Sequence, residues 1–323
     1  MTPPDLPAEL RSALQAKLQG LPRDEIAARA AQISKTYRDG GNSRAIASQA
    51  DALAYVLVRM PATYAALTAS LNALCEARPD FAPENLLDVG AGPGTASWAA
   101  AETFASLRKF VLLDINAALQ TLALDIAREH RRLGAMTCRR NPHALDEVEP
   151  ADLVIASYLI GEVSEAERRR LTDRLWAKTR DTLLVVEPGT PAGYARIIEL
   201  RAQLIEADAH VAAPCPHDGE CPLQAPDWCH FSQRLPRLRA HIQIKGAELP
   251  FEDEKFSYVV LTRTPVTQRY SRVLSQPAVS KIEVSAKLCA ANGLTNAKVP
   301  RRDKAGYAQA RRWRWGEAVM EEG

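Results

Sequence analysis

Leu86-Leu87-Asp88-Val89-Gly90-Ala91-Gly92-Pro93-Gly94-Thr95 is the stretch whose reading decides the fold. A short apolar run enters a turn with three alternate glycines, and a helix-compatible segment begins near Thr95. Glycine lets the backbone turn sharply and approach a ligand where any β-carbon would collide. Two acids bracket the turn. Asp88 stands just before the first glycine, and Asp114 closes the next apolar run, Lys109-Phe110-Val111-Leu112-Leu113-Asp114. Downstream, AMTCRRN (135–141), ADLVIASYLI (151–160) and TLLVVEPG (182–189) repeat the short apolar texture, separated by helix-length segments such as AALQTLALDIAREHRRL (117–133). Strands alternating with helices at this spacing predict parallel βαβ units in a doubly wound α/β sheet, with FSYVVLTR (256–263) as a later strand.

Upstream, residues 8 to 78 read as four helices with apolar residues three and four apart, Pro61 opening the last of them, and the loop RPDFAP (78–83) closing the extension. Between Val211 and Pro236, six prolines and glycines predict irregular structure. With 323 residues, 46% of them hydrophobic, the chain carries enough apolar material for a substantial core. No run approaches the roughly 18 apolar residues of a membrane span. Asp5 and Glu9 stand where a signal peptide would be basic, so neither a signal peptide nor a membrane span is expected, and the six cysteines are assigned a reducing compartment. The net charge of +2 is uneven: from Arg263 to Arg314 twelve Lys or Arg face only Glu283 and Asp303. A mostly acidic body with a basic end suits a polyanion partner, although a solvated charged face has the same composition.

An acid at the end of the second strand can accept both ribose hydroxyls of an adenosine cofactor. A glycine turn alone occurs in dinucleotide enzymes as well as in S-adenosylmethionine (SAM) enzymes. The wording D-V-G-A-G-P-G-T is similar to motif I of class I methyltransferases, whose cofactor lacks a pyrophosphate. SAM is therefore expected, with Asp88, Gly90, Gly92, Gly94 and Asp114 as its contacts. Acceptor-side residues should follow the fourth strand, at Ala156-Ser157-Tyr158-Leu159-Ile160-Gly161-Glu162. Neither the Asn/Asp-Pro-Pro-aromatic sequence of amino-methylating enzymes nor the Pro-Cys of cytosine-C5 enzymes is present. Tyr158, able to stack on a base, and Glu162, able to orient or deprotonate a nucleophile, are the catalytic candidates. Packing and helix-start roles fit both equally well.

Cys215, Cys221 and Cys229 lie in a proline-rich segment, PCPHDGECPLQAPDWCHF, and the one later cysteine is Cys289, giving C-x5-C-x7-C-x59-C. Three soft ligands in an irregular loop and a fourth from elsewhere suit a closed four-thiolate metal site. Zinc ribbons favour cysteines two to four residues apart, and the wider spacing fits an iron–sulfur cluster better. His217 and His230 could replace a cysteine around zinc, which leaves zinc open. Cys75 and Cys138 stand alone in helix and strand texture and read as packing residues.

The runs VRMPATYAA (58–66), the glycine turn, DLVIASY, CPHDGECPL, DWCHFSQRL, RRDKAGY and WRWGE together resemble the Rsm22 family, including its mitochondrial methyltransferase-like relatives. The resemblance spans nearly the whole chain from about residue 40. It implies a class I SAM-dependent methyltransferase core and a [4Fe-4S] cluster on Cys215, Cys221, Cys229 and Cys289. It also implies action on small-subunit rRNA or in small-ribosomal-subunit assembly, with catalysis itself undecided. The expected layout is a helical extension at 1–82, a SAM-binding core at 83–210, a Cys-rich cluster loop at 211–240, and at 241–323 the last core strands and a basic tail. In that tail Arg301, Arg302, Lys304, Arg311, Arg312 and Arg314, interleaved with Tyr307, Trp313 and Trp315, are expected to contact rRNA by charge and stacking. A protein monomeric apart from the ribosome is expected. Lacking an Arg-rich presequence, it reads as a bacterial, cytoplasmic member.

Overall fold

A computed structural model describes residues 1–19, 22–38, 41–141, 143–236 and 251–319. Five parallel strands, β1 (Asn85–Val89), β2 (Lys109–Leu113), β3 (Thr137–Arg139), β4 (Ala151–Ser157) and β5 (Thr179–Pro188), form the heart of the main sheet. β6 (His210–Ala213), β7 (Phe231–Pro236) and β8 (Phe251–Thr262) complete it, in the order β3-β2-β1-β4-β5-β8-β6 with β7 beside β8. β8 runs antiparallel to β5, β6 and β7. The chain thus steps outward from β1 on one side, reverses, and builds the other half, closing with a long reversed strand. This is a doubly wound α/β fold.

Alternation along each strand divides the core into two layers. Leu86, Leu153, Ile155, Leu184 and Val260 face one side, with Leu87, Val154, Leu183, Val185 and Leu261 on the other. α6 (Ala144–Glu147), α7 (Glu165–Ala177) and α8 (Pro191–Ile205) cover the second face. The first is covered by α4 (Thr95–Thr103), α5 (Ala117–Ala127) and the N-terminal helices α1 (Ala8–Leu18), α2 (Arg23–Arg38) and α3 (Gln49–Ala77). The N-terminal helices are therefore part of one face's cover: α3 lies against α4 and α5 and reaches β6, β7 and β8.

α3 departs from the sequence expectation of two helices divided at Pro61. It is continuous, begins at a capping box between Ser48 and Asp51, and carries Pro61 inside. An internal proline removes one helical hydrogen bond and costs about 3 kcal/mol. Burial of Met60, Tyr64, Leu67, Leu71 and Leu74, each at most 1% exposed, outweighs that cost. α3 is also long and apolar enough to cross a membrane, yet 78% of its most apolar window is buried in the protein, as befits a core helix.

Two further differences lie downstream. β6 and β7 carry regular structure into the proline-rich stretch, and Pro236 is tolerated because it ends β7, an outer strand. The region read as a basic tail contains a second, five-stranded antiparallel sheet made of β9 (Ser271–Val273), β10 (Ala278–Val279), β11 (Glu283–Ala290), β12 (Gly293–Pro300) and β13 (Ala318–Val319). A short helix, α9 (Lys304–Ala310), packs on it. The division expected between 240 and 241 lies outside the described residues.

If α3 is core, Leu71→Ala will lower the unfolding free energy by about 2–5 kcal/mol, the usual cost of a buried leucine truncation. Ser48→Ala will cost about 1 kcal/mol through the lost cap. Urea melts followed by circular dichroism would check both.

Candidate functional site

β1 ends in a turn that only glycines follow easily: Gly90, Gly92 and Gly94 all have positive φ, at 69°, 53° and 78°. The N–H groups of Gly90 and Ala91 both donate to Leu113 O on β2, at 2.8 and 3.0 Å. A β-carbon on Gly90 would come within 2.8 Å of Leu159 Cδ1. The carboxylate of Asp114 accepts the Gly92 N–H and the Asn116 N–H, both at 2.7 Å. Burial pushes the Asp114 pKa up, and those backbone donors pull against it. Turn and acid thus meet at the carboxyl ends of β1 and β2, beside the reversal of strand order between β1 and β4, where open α/β sheets bind ligands. A cradle that a β-carbon would fill, with an acid locked at its rim, fits an adenosine-containing cofactor.

Asp88, expected among the cofactor contacts, lies beneath the turn. It is fully buried, and its Oδ2 accepts the Ser97 N–H (3.1 Å) and Oγ–H (2.8 Å), bracing the start of α4. Its Oδ1 has no partner among the described residues, and burial raises its pKa to about 7.

The acceptor-side candidates are both engaged by their own chain. Tyr158 sits at φ 56°, a costly conformation for an aromatic residue, with its N–H on Val186 O at 2.7 Å. Its hydroxyl donates to Glu254 Oε1 (3.1 Å), which also pairs with Arg59 (3.1 Å). Glu162 accepts the Ser43 hydroxyl at 3.1 Å, and burial raises its pKa. Asn116 Nδ2 donates to the carbonyls of Ser43 and Ile46, both at 2.9 Å, tying the segment before α3 to the rim. Arg59, Glu254, Asn116 and Ser43 were not singled out by sequence, because each is an ordinary polar residue until the fold brings it here.

The four motif cysteines converge on one small, mostly apolar cavity beside α8. Its walls include Tyr194, Arg201 and Arg272, and its non-atom space is about 470 Å³ including the opening to solvent. Cys215, Cys221 and Cys229 come from the loop between β6 and β7, and Cys289 from β11 of the second sheet. All six cysteines are free thiols. The Tyr194 hydroxyl lies 3.1 Å from Cys221 Sγ. Burial pushes the Cys215 and Cys229 thiols up, and Cys289 to about 12, so that uncomplexed they are protonated. Among the described residues no three His, Cys, Asp or Glu side chains stand close enough to hold a single metal ion. Of the zinc alternates, His217 Nε2 is 3.9 Å from Cys289 Sγ, whereas His230 is packed between Trp228 and Trp315. Cys75 and Cys138 lie apart from the cavity, packed against the core. A donor set of four soft sulfurs, Cys289 buried and the other three half-buried, walled by two cations, fits an anionic thiolate-ligated group.

At the C-terminal end Arg301, Arg302, Lys304, Arg311, Arg312 and Arg314 are exposed, and none forms an ion pair among the described residues. Trp313 and Trp315 are half-buried, packed against the second and main cores respectively, so they serve packing in place of the open stacking expected of them.

Residues 49–320 match the family described as "Mitochondrial small ribosomal subunit Rsm22". The chain is 28% identical over 289 residues to human "Ribosome assembly protein METTL17, mitochondrial", covering 83% of this chain and 62% of that protein. To "Rsm22-cox11 tandem protein 2, mitochondrial" of Schizosaccharomyces pombe it is 26% identical, over 84% of this chain and 43% of that one. It therefore spans less than two thirds of the length of these relatives. Among solved structures, a putative RNA methyltransferase from Pyrococcus horikoshii is similar over 66% of this chain and 87% of that one (TM-score 0.42, 14% identity). A SAM-bound magnesium protoporphyrin IX methyltransferase from Synechocystis is similar over 63% and 80% (TM-score 0.41, 13% identity). The mitochondrial relatives overturn the expectation of a cytoplasmic protein. That expectation rested on targeting composition, and a targeting segment is a removable address that the fold does not require.

Because folded Asp88 keeps a proton that the unfolded chain releases above about pH 4, its burial makes stability fall as pH rises from about 4 to about 7 and stay level beyond. Asp88→Asn is expected to flatten that slope, reducing the loss between pH 5 and pH 8 by more than about 1 kcal/mol in urea titrations.

Proposed function

The chain belongs to the Rsm22 family, and from that premise we propose that it is a SAM-binding, methyltransferase-like assembly factor of a small ribosomal subunit of mitochondrial type. The observation that carries this reading is the contrast within one crevice. The cofactor side keeps the glycine turn and Asp114, whereas Tyr158 and Glu162 are held by Glu254, Arg59 and Ser43. In this reading Asp114 receives the ribose hydroxyls, Gly90, Gly92 and Gly94 let the cofactor lie against the backbone, and Asp88 keeps α4 in place beneath it. When bound, SAM would supply an electrophilic methyl group. Methyl transfer to rRNA is the second reading, favoured by the same turn. It requires Tyr158 or Glu162 to exchange its present partner for the acceptor.

The four-cysteine cavity is read as the seat of a [4Fe-4S] cluster, with Cys215, Cys221, Cys229 and Cys289 as ligands, rather than of a single zinc ion, for which no three described side chains stand close enough. A cluster would supply a rigid cross-link between the β6–β7 loop and β11. The partner is small-subunit rRNA, met by the exposed cations from Arg301 to Arg314. Replacing Arg301, Arg302, Arg311 and Arg312 with alanine should weaken subunit binding and flatten its dependence on salt, by roughly one unit of logarithmic slope for each phosphate no longer neutralised.

The deciding experiment incubates anaerobically prepared protein and labelled SAM with immature small subunits from cells lacking this gene. Tight SAM and subunit binding without methyl incorporation, with assembly restored by the wild-type chain but not by Gly90→Arg, is the expected result. Incorporation at one nucleotide, abolished by Gly90→Arg, would establish the methyl-transfer reading. Normal assembly by Gly90→Arg would show that the cofactor crevice is dispensable.

A further inference from the structure

Two buried guanidinium groups stand in the wall of the four-cysteine cavity. Arg201, 3% exposed, projects from α8 on the face that also carries Tyr194 and Ile197. Its Nη2 donates to the carbonyls of His217 (2.8 Å) and Gly219 (2.7 Å), in the loop between Cys215 and Cys221. Among the described residues its buried Nε finds no hydrogen-bond partner and the guanidinium no carboxylate. Arg272, 4% exposed, lies opposite Cys289 in the β9–β11 register. It donates to Pro214 O (3.3 Å) and Gly316 O (2.9 Å), and its one ion-pair partner among the described residues is Glu76 at 3.8 Å, whose side chain is 39% exposed.

Burying a cation without a counter-charge is costly, and carbonyl dipoles offset only part of that cost. Loaded, the balance changes. Four thiolates around a cluster core, or around a divalent ion, bring two more negative charges than positive ones, matching two guanidinium groups.

We propose that Arg201 and Arg272 are charge-compensating positioning residues for an anionic four-thiolate centre: they hold the cysteine loop by its carbonyls and balance the charge that the centre brings into the protein. The inference rests on the reading of this cavity as a cluster site. It implies that the centre is easier to reduce than its apolar surroundings would otherwise allow, since a nearby cation favours the more negative, reduced state.

The test prepares full-length wild-type, Arg201→Gln and Arg201→Lys proteins without oxygen, measures iron, acid-labile sulfide and zinc in each, and titrates the cluster against a reductant. Arg201→Gln should shift the one-electron equilibrium at least tenfold toward the oxidised form, about 59 mV, while Arg201→Lys stays close to wild type. A fully loaded Arg201→Gln protein with unchanged potential would overturn the proposal. Should Arg201→Gln fail to assemble a centre, retention by Arg201→Lys would uphold the need for charge. Loss in both variants would instead assign Arg201 to loop hydrogen bonding alone and overturn it. Zinc without sulfide in the wild-type protein would sink the cluster reading separately. Zinc retention against a chelator would then decide the role of charge, with faster loss from Arg201→Gln than from Arg201→Lys expected and equal loss overturning it.

Discussion

The carbonyl of Leu113 accepts hydrogen bonds from both Gly90 and Ala91, and the crevice depends on that double acceptance. It forces the chain leaving β1 to cross the end of β2 through left-handed backbone, which three glycines supply without strain. Once the turn crosses there, Gly92 N–H meets Asp114, and Asp114 in turn orders Asn116, the N-cap of α5. Asn116 then fixes the carbonyls of Ser43 and Ile46, so the N-terminal segment is tied to the crevice by bonds that begin at β1. Asp88 works from below through Ser97, at the expense of a buried, partly unsatisfied carboxyl group.

A second dependence joins the two sheets. The core of the C-terminal sheet is small, made of Val273, Ala286, Leu288 and Val319 with Ala297 and Trp313 packed against it. So few buried side chains give little independent stability. Its attachments are specific instead: Arg272 reaches Pro214 and Glu76, Lys287 pairs with Asp227 at 2.6 Å, and Cys289 enters the cavity that holds the other three cysteines. Those attachments hold the exposed cations of the C-terminal end in fixed relation to the crevice. A loaded thiolate centre would therefore bear on how the basic surface is presented as well as on the loop it cross-links.

The sheet and its glycine turn were legible because their signals are local. Val111 to Leu113, Leu153 to Ala156 and Leu183 to Val186 are continuous apolar runs, as strands buried on both faces require. Local signals also misled. Pro61 reads as a helix start, because the burial that overrides it comes from α4, α5 and strands up to about two hundred residues away. The second sheet had left its trace in the alternation of Val284, Ala286 and Leu288 before Ala291-Asn292-Gly293, a hairpin signal that the charge of the region obscured.

By itself, the sequence determined the alternation of β1 to β5 with helices, the glycine turn with its two acids, and the four cysteines as a group, since each depends on residue type and spacing along the chain. Tertiary structure alone decided that Asp88 lies beneath the turn while Asp114 stands at its rim, that Tyr158 and Glu162 are held by distant residues, and that Arg201 and Arg272 are buried beside the thiols. The physical reason is that burial and charge pairing depend on what lies across space. Glu254, nearly two hundred residues from Arg59, becomes its partner only when β8 is laid against β5.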